Sequence, residues 1–290
     1  CLSLIVNYMR NIFRSKILRV FWQVLLLFIC MPLFIIGYLI PKKKNLWIAG
    51  NVFGQKDNAF YFFEFAKNIP EIKIIWISKE HTHNPQCYYY LSIKGLYYQY
   101  RSAVAILSTG RGDVARFTLA GKKLVQLWHG IPIKKILLDS REFSPCSWGR
   151  GIDRVLRCVL RKNLSKYSLI TAANELNKNC LVGAFGVSSN IVCITGLPRH
   201  DFIYTECKGA IKVHREHIKI LFAPTWRAST EKAKSLFNWL ENESFIRLQE
   251  KYNISIDVCI HPLSDKNDST YKSELTSYYN GMDINKDLCQ

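Results

Sequence analysis

The chain has 290 residues, of which 49% are hydrophobic and 13% aromatic, so it can bury a core and a disordered chain is excluded. Its 40 Lys and Arg residues exceed its 22 Asp and Glu residues, and the net charge of +18 favours an anionic lipid surface, an anionic substrate or nucleic acid as partner. Because the sequence contains neither zinc-finger spacing nor an aromatic RNP box, we expect no nucleic-acid partner.

The ten cysteines are scattered along the chain, and none of them form a CxxC or another metal-ligand pair. Several lie inside strand or helix patterns, where a free thiol behaves as a small hydrophobic residue. We therefore expect reduced thiols in a cytosolic environment. The sequence also lacks a carboxylate cluster of the kind that binds Mg²⁺ or Ca²⁺, so it predicts no metal site and no cofactor.

The first predicted element is an apolar segment, Leu18–Ile40, whose sole charged residue is Arg19. Its length of about 23 residues can cross a hydrocarbon core of about 30 Å, and basic residues flank both ends. A spanning helix, a segment lying in the membrane interface and a buried core helix all fit this pattern. No signal-peptide cleavage site precedes Pro41. We expect residues 1–40 to anchor a single-pass or peripheral protein to the anionic cytoplasmic face of the inner membrane.

From Asn45 onward, short apolar strands alternate with helix-like stretches. The predicted strands are Leu46–Ala49, Lys73–Ile77, Val104–Ser108, Lys123–Trp128, Leu169–Ala173 and Ile191–Thr195. The predicted helices are Asn58–Asn68, Gly95–Arg101, Arg150–Lys166 and Asn174–Phe185, the last with Asn174 as N-cap and Gly186 as C-cap. This alternation implies parallel pairing and predicts a Rossmann-like domain over residues 41–204.

A second series follows the polar stretch Thr205–Arg215 and continues to the last residue. It comprises a strand at Lys219–Ala223, a helix at Leu236–Lys251 and a strand at Ile254–Ile260. This series predicts a second Rossmann-like domain over residues 205–290, and about 85 residues are too few to complete such a domain. Two domains of this kind would enclose a cleft.

Four predicted strand ends carry side chains suited to phosphate. They are Leu127-Trp128-His129-Gly130, Gly196-Leu197-Pro198-Arg199-His200-Asp201, Ala223-Pro224-Thr225-Trp226-Arg227 and Ile260-His261-Pro262. In open α/β sheets, ligands bind in the crevice beyond the carboxyl ends of the strands. We therefore expect these four strand ends to point into one cleft.

His129 is the candidate general base at the first of these ends. A neutral histidine can take a proton from an attacking hydroxyl because its ordinary pKa lies near neutrality. A histidine that caps the strand end by hydrogen bonds is the alternative. Lys134 and Lys135 follow the same turn, and they could hold an anionic acceptor or a lipid headgroup, although a solvated run of charge fits equally.

The other three ends carry Arg199, Thr225 with Arg227, and His261. The planar fork of an arginine donates two parallel hydrogen bonds to a phosphate, and we expect Asp201 either to orient Arg199 or to cap the next segment. Thr225 and Arg227 add a hydroxyl and a guanidinium at the end of a buried strand. His261 could donate to a phosphate oxygen, protonate a leaving group or cap its strand.

In this order and at this approximate spacing, the WHG turn, the GxPRxD turn, the APTWR strand end and the HP dipeptide resemble the CDP-glycerol glycerophosphotransferase family. The run Pro41–Asn45 before a strand and Asp57-Asn58 at the start of a helix also fit this family. The resemblance covers roughly Pro41 to Pro262. It implies a GT-B-like α/β fold of two facing Rossmann-like domains, here preceded by the hydrophobic membrane segment. It also implies attachment to the inner membrane face and CDP-glycerol as donor.

The resemblance marks His129 as the general base and His261, Arg227 and Arg199 as groups that hold the donor's phosphates or order the cleft. Together with the residue patterns it gives two candidate sets. The catalytic candidates are His129 and His261, and the substrate-binding candidates are Arg199, Thr225, Arg227, Lys134 and Lys135.

The predicted reaction transfers glycerol phosphate from CDP-glycerol to a hydroxyl of a membrane-bound polyol-phosphate or glycan acceptor, releasing CMP. Such a reaction serves teichoic acid or capsule synthesis. The alternatives are a GT-B glycosyltransferase that uses a nucleotide sugar and an inactive membrane-associated remnant. Members of the family carry an Asp-Tyr-Ser-Ser motif soon after the HP dipeptide, and no such motif occurs before Gln290. We therefore expect a chain truncated at its C-terminus.

Overall fold

The computed structural model describes residues 30–82, 84–140, 150–206, 218–223, 242–258 and 276–278. The chain divides into two compact units, Cys1–Phe202 and Ile203–Gln290. The first unit contains the strands β1 (Lys43–Gly50), β2 (Lys73–Ser78), β3 (Cys87–Tyr89), β4 (Ser102–Leu107), β5 (Lys123–Gln126), β6 (Leu169–Ala172) and β7 (Val192–Ile194). Its helices are α1 (residues 30–39), α2 (Asp57–Ala66), α3 (Ile93–Arg101), α4 (Arg150–Leu164) and α5 (Glu175–Phe185), and α6 (Pro198–Glu206) begins in it.

The seven strands form one parallel sheet with the order β3-β2-β1-β4-β5-β6-β7. The chain adds strands on one side of β1 and then returns to add the others on the opposite side. The order therefore reverses between β1 and β4, which makes their carboxyl ends the place where open sheets of this kind bind ligands. The predicted parallel α/β sheet is confirmed.

The sheet is covered on both faces, as β2 shows most clearly. Ile74 and Trp76 pack with Phe63 of α2 in the hydrophobic cluster on one face, and Ile75 and Ile77 join the cluster on the other face. Successive side chains of a strand point to opposite faces. A strand with both faces buried is therefore apolar at nearly every position, which explains why the sequence shows a continuous run here.

The cap residues of α5 lie where the sequence predicted them. The side chain of Asn174 accepts a hydrogen bond from the backbone N–H of Asn177, and Gly186 ends the helix with a φ of 61°. A Cβ atom at Gly186 would lie 2.7 Å from Cδ1 of Leu138. A larger residue would therefore have to displace the Leu138 side chain, and the left-handed backbone itself favours glycine at this position.

Two elements of the first unit were not predicted. The strand β3 has three residues, which is too short to show a hydrophobic period. The helix α6 begins at Pro198, inside a segment that we expected to be a turn. Proline suits the first helical position because it lacks an N–H that would otherwise need a partner and because its φ is already helical.

The second unit contains the strands β8 (Ile218–Phe222), β9 (Ile254–Val258) and β10 (Thr276–Tyr278) and the helix α7 (Glu243–Tyr252). The strands form a parallel sheet with the order β10-β9-β8. Asn242 caps the start of α7 by accepting a hydrogen bond from the N–H of Ser244, and Asn253 ends it in the left-handed conformation. The predicted strand–helix–strand series is confirmed, although the predicted start of α7 at Leu236 lies outside the described residues.

The helix α1 belongs to the first unit by its contacts. Tyr100 donates its hydroxyl to the backbone oxygen of Leu33 at 3.1 Å, and Lys42 Nζ donates to the oxygen of Gly37 at 2.7 Å. Most of the predicted membrane segment, up to residue 29, lies outside the described residues. In the part of the chain that is described, no helix is both long and apolar enough to cross a membrane.

Lys122 gives the first unit a dependence of its stability on pH. Its Nζ lies within hydrogen-bond distance of the backbone oxygens of Gln99 and Ser102 and of Ser102 Oγ. Burial, followed by the charge of Lys42, lowers the pKa of Lys122 from 10.5 to about 6. Between these two values the unfolded chain holds one more proton than the folded chain. The free energy of unfolding therefore rises with pH in this window. The contribution of Lys122 to stability is lost as the pH falls towards the folded pKa.

We expect Lys122→Met to remove this dependence. The stability of the wild type relative to this variant should fall by up to about 1.4 kcal/mol per pH unit as the pH is lowered from about 8.5 to about 6.5. Urea unfolding at several pH values measures the difference. Lys123→Met, at an exposed neighbouring position on β5, should keep the wild-type slope. A difference that does not change with pH would show that the three oxygen acceptors keep the ammonium group charged.

Candidate active site

The end of β5 turns sharply to present His129. The N–H of Leu127 still donates to the oxygen of Leu107, which extends the pairing of β5 with β4 by one residue. Trp128 then adopts a φ of 54°, a left-handed conformation that bulky residues rarely occupy. Its side chain is buried, whereas His129 is exposed at the surface of the unit. The strained turn therefore lets Trp128 pack in the core while the next residue, His129, remains accessible to a ligand.

Contacts on two sides fix the position of His129. Its ring stacks on the ring of Trp128, with centroids 4.3 Å apart, and its backbone oxygen accepts a hydrogen bond from Nη1 of Arg199 at 3.1 Å. Desolvation by these neighbours lowers the pKa of His129, with the carboxylate of Asp57 opposing and the guanidinium of Arg199 reinforcing the shift. The imidazole is therefore neutral at neutral pH, which is the state that a general base requires.

Arg199 lies in the first turn of α6 and is held by Asp57. The distance between Nη1 of Arg199 and Oδ1 of Asp57 is 3.6 Å. The sequence predicted no role for Asp57 and named Asp201 as a residue that either orients Arg199 or caps the next segment. Asp201 lies in the first turn of α6, where a carboxylate complements the helix dipole, and both of its predicted roles stay predictions.

Asn58 connects the three segments of this site. Its side chain is fully buried. Its Nδ2 donates to the backbone oxygens of Leu127 at 3.3 Å and Trp128 at 2.8 Å, and its Oδ1 accepts a hydrogen bond from the N–H of Arg199 at 3.3 Å. A single amide therefore holds the start of α2, the turn after β5 and the start of α6 together.

The carboxylate of Asp113 organises the loops at the reversal point of the sheet. It accepts hydrogen bonds from the N–H groups of Ser108, Thr109 and Gly110 after β4, and from the N–H of Val52 after β1. Burial raises the pKa of Asp113, and these hydrogen bonds act against that shift. The carboxylate thus satisfies backbone donors of two loops and holds these loops together at the reversal point of the sheet.

The structure brings two of the predicted site residues together, His129 and Arg199. Lys134 and Lys135 are exposed in the loop that follows the His129 turn. The predicted residues Thr225, Arg227 and His261 lie outside the described residues, so their roles remain predictions. Asp57 and Asn58 were predicted only as the start of a helix, and no sequence pattern indicated a role for Asp113.

This arrangement suits the removal of a proton from a hydroxyl beside an anionic group. His129 supplies a neutral base, and Arg199 has five N–H donors, of which the contacts described above use a part. Within the residues that the structure describes, no group of three or more His, Cys, Asp or Glu side chains could hold a metal ion. Two of the four described non-glycine residues with positive φ, Asp57 and Trp128, adjoin the site. Such backbone strain is concentrated at functional sites in proteins.

Comparisons with known proteins place this chain in a family. The model of the family described as CDP-glycerol:poly(glycerophosphate) glycerophosphotransferase matches residues 34–289. The teichoic acid poly(glycerol phosphate) polymerase of Bacillus spizizenii is 26% identical over 293 residues, which cover 88% of this chain and 73% of the relative. The teichoic acid glycerol-phosphate transferase of Staphylococcus aureus is 25% identical over 202 residues, covering 64% of this chain and 51% of that protein.

Solved structures agree with the fold. The wall teichoic acid polymerase TagF aligns with a TM-score of 0.60 and 15% sequence identity, over 86% of this chain and 64% of that chain. At this identity the likeness concerns the fold, which is a mostly parallel α/β fold in both proteins. The family match covers most of the chain and includes the His129 turn, the Arg199 turn and the start of α2. The chain therefore belongs to the CDP-glycerol:poly(glycerophosphate) glycerophosphotransferase family, as the motifs predicted.

Proposed function

We propose that this protein transfers glycerol phosphate from CDP-glycerol to a hydroxyl of a teichoic-acid-like acceptor polymer and releases CMP. Membership of the family supports this reaction, as do the names of the relatives, which are polymerases and transferases of glycerol phosphate. The observation that carries the proposal is a neutral His129 fixed beside Arg199 at the carboxyl end of β5.

In this reaction the acceptor hydroxyl oxygen attacks the phosphorus atom that carries the glycerol. His129 removes the hydroxyl proton while the new phosphorus–oxygen bond forms, since its lowered pKa leaves the imidazole neutral. The bond from that phosphorus atom to the bridging oxygen breaks, and CMP leaves with the electron pair. Arg199 offsets the negative charge near the attacking oxygen, in the way that fixed cations stabilise phosphoryl transfer.

The roles of the residues that bind the donor are also part of the proposal. We assign Thr225, Arg227 and His261 to the diphosphate of CDP-glycerol because they match the motifs of the family. The proposal also includes the GT-B-like pair of Rossmann-like domains, for which the fold likeness to TagF is the support. An acceptor role for Lys134 and Lys135 rests on their exposure beside the His129 turn.

Glycerol phosphate is favoured over ribitol phosphate as the transferred group. A teichoic acid poly(ribitol-phosphate) polymerase of Bacillus spizizenii is 27% identical, but over only 54% of this chain and 25% of that protein. The glycerol phosphate polymerase of the same organism is matched over 88% of this chain. The two donors present the same diphosphate, and a poly(glycerol phosphate) polymerase of Bacillus subtilis is itself matched over only 53% of this chain. The choice therefore rests on the fuller match to the Bacillus spizizenii glycerol phosphate polymerase and is tested by the donor comparison that follows.

A comparison of donors tests the proposed reaction. The full chain is incubated with a lipid-linked glycerol-phosphate acceptor and with CDP-glycerol, CDP-ribitol or UDP-glucose in separate reactions. We expect CMP release and a longer acceptor with CDP-glycerol. Turnover of UDP-glucose in preference would establish a sugar transferase instead, and a folded protein that turns over none of the donors would be a remnant without this activity.

We also propose that the protein works at the cytoplasmic face of the membrane, held there by residues 1–40 and anionic lipid. Basic residues near an anionic surface contribute about 1 kcal/mol each to binding. Removing residues 1–29 deletes four of them, Arg10, Arg14, Lys16 and Arg19, together with part of the apolar run. We expect this deletion to release the protein from vesicles that contain phosphatidylserine, as sedimentation measures.

The deletion of residues 1–40 is the matched comparison. It also removes α1, whose backbone oxygens accept hydrogen bonds from Tyr100 and Lys42. We therefore expect it to lower the melting temperature below that of the shorter deletion. If the protein without residues 1–29 still sediments with anionic vesicles at high salt, another surface binds the membrane and this proposal is wrong.

A further inference from the structure

The loop that follows β1 ends at Asp57 in a strained backbone conformation. Asp57 is the first residue of α2 and has a φ of 59°, in the left-handed region that residues other than glycine seldom occupy. The first residue of a helix ordinarily has right-handed helical dihedrals, so starting α2 does not require this strain. Such strain persists only where the surrounding structure fixes the residue. The backbone of Asp57 therefore indicates that its side chain has a required position.

Asn51 holds Asp57 in this position from one side. The side chain of Asn51 is fully buried. Its Nδ2 donates to the backbone oxygen of Lys56 at 3.0 Å and to Oδ2 of Asp57 at 3.4 Å. Its Oδ1 accepts a hydrogen bond from the N–H of Phe53 at 2.9 Å. One buried amide therefore closes the loop between β1 and α2 and directs the carboxylate of Asp57.

The other carboxylate oxygen of Asp57 contacts Arg199. Oδ1 of Asp57 lies 3.6 Å from Nη1 of Arg199, and the same Nη1 donates to the backbone oxygen of His129 at 3.1 Å. A distance of 3.6 Å exceeds that of a direct hydrogen bond, so the carboxylate attracts the guanidinium without occupying all of its donors. The side chain of Arg199 is 22% exposed, so a phosphate can still reach it. Asp57 therefore holds Arg199 against the His129 turn and leaves donors for a ligand.

Charged groups from three segments act on the imidazole of His129: Asp57 at the start of α2, Arg199 on α6 and Asp113 after β4. Desolvation lowers the pKa of His129, and the carboxylate of Asp57 opposes this shift more than the guanidinium of Arg199 reinforces it. The carboxylate of Asp113 opposes it more weakly. Without the charge of Asp57 the pKa would therefore fall further, whether Arg199 stayed in place or moved away. A less basic imidazole accepts a proton less readily.

We propose that Asp57 is a positioning residue of the candidate active site, whose carboxylate fixes Arg199 against the His129 turn and keeps the imidazole basic enough to take a proton from the acceptor hydroxyl. Asp57 acts through these two residues and transfers no proton itself. Its role in the chemical step rests on the proposed function, whereas its effects on Arg199 and on the imidazole exist without substrate.

An NMR titration of the full chain with isotope-labelled histidine measures the pKa of His129 without substrate, and the His129→Gln variant identifies its signal. Asp57→Asn removes the charge but keeps a side chain that tolerates the left-handed backbone. We expect this variant to have a lower His129 pKa than the wild type. Glu64→Gln, which removes a carboxylate that pairs with Lys67 on the same helix, is the charge-matched control and should leave the pKa unchanged. An unchanged or raised His129 pKa in Asp57→Asn would overturn the inference.

The kinetics of CMP release give the second measurement. We expect Asp57→Asn to lower kcat by about 10-fold to 100-fold with a smaller change in KM for CDP-glycerol, because a small misplacement of a group at the reacting centre can cost about 10² in rate. Asp201→Asn tests the other carboxylate that the sequence suggested as a partner of Arg199, and it should keep kcat within about threefold. A normal kcat in Asp57→Asn, or a loss of kcat in Asp201→Asn alone, would contradict the inference.

Asp57→Ala separates the charge of Asp57 from its backbone conformation. Alanine tolerates the left-handed region less well than asparagine, so we expect Asp57→Ala to melt at a lower temperature than Asp57→Asn. A purely structural role would leave Asp57→Asn like the wild type in both pKa and kcat while Asp57→Ala lost stability, and that result would overturn the inference. A wild type that releases no CMP from CDP-glycerol would contradict the proposed function alone, since the histidine titration still decides the effect of Asp57.

Discussion

His129→Gln should lower the rate of CMP release from CDP-glycerol by about 10²–10⁴-fold, the usual contribution of a general acid or base. Glutamine can hydrogen bond but cannot accept the proton. The backbone oxygen that Arg199 contacts is unchanged by this substitution, so the turn should keep its position. Steady-state kinetics with CDP-glycerol and a lipid-linked acceptor measure the loss, and the affinity for the donor should change much less.

His200→Gln is the matched control for this prediction. His200 follows Arg199 on α6, and burial lowers its pKa as it does that of His129. We place it outside the chemistry and expect its variant to retain turnover within about threefold, since surface substitutions away from special features have small effects. A His129→Gln enzyme with near-normal turnover would leave His129 as a residue that caps the end of β5.

Asn58→Leu should destabilise the first unit by about 2–4 kcal/mol, the scale of two or three buried groups left without partners. The substitution removes the donor to the oxygens of Leu127 and Trp128 and the acceptor for the N–H of Arg199. Thermal or urea unfolding measures the loss. Because the same bonds hold the His129 turn, turnover should also fall at temperatures where the variant is folded.

Asn68→Leu is the control, because Asn68 follows the C-terminal end of α2, whereas Asn58 lies at its start. Asn68 is exposed just after α2, and within the described part of the chain its side chain donates only to the backbone oxygen of Glu64. Its loss should cost less than about 1 kcal/mol, as for an exposed hydrogen bond. Equal destabilisation by the two substitutions would show that Asn58 does not organise the site through its buried bonds.

The helices and strands with a clear pattern of apolar residues could be predicted from the sequence. The buried strand β2 and the helix α5 with its two caps lie close to their predicted bounds. The three-residue strand β3 could not be predicted, because its place depends on pairing with β2 rather than on a pattern of its own. The start of α6 could not be predicted because the segment Gly196-Leu197-Pro198 fits a turn as readily as a helix start.

The residues that we propose act directly on the substrates could be predicted from the sequence, whereas the residues that hold them in place could not. His129 and Arg199 follow strands, and the rule for the carboxyl ends of parallel strands indicates both. Asn58 lies 70 residues from Trp128 along the chain, and Asp113 lies 61 residues from Val52. Such contacts form only when the sheet assembles, so no local sequence pattern predicts them. The roles of Thr225, Arg227 and His261 remain predictions.

The pH dependence of CMP release by the full chain tests most directly the proposed role of His129 as the base in glycerol phosphate transfer. With CDP-glycerol and a lipid-linked acceptor, the wild-type rate should rise with pH along a limb whose midpoint lies below 6.5, the ordinary pKa of histidine, since desolvation lowers the pKa of His129. The residual rate of His129→Gln should lack this limb. A limb that persists in the variant, or a wild-type protein that releases no CMP from CDP-glycerol, would contradict the account.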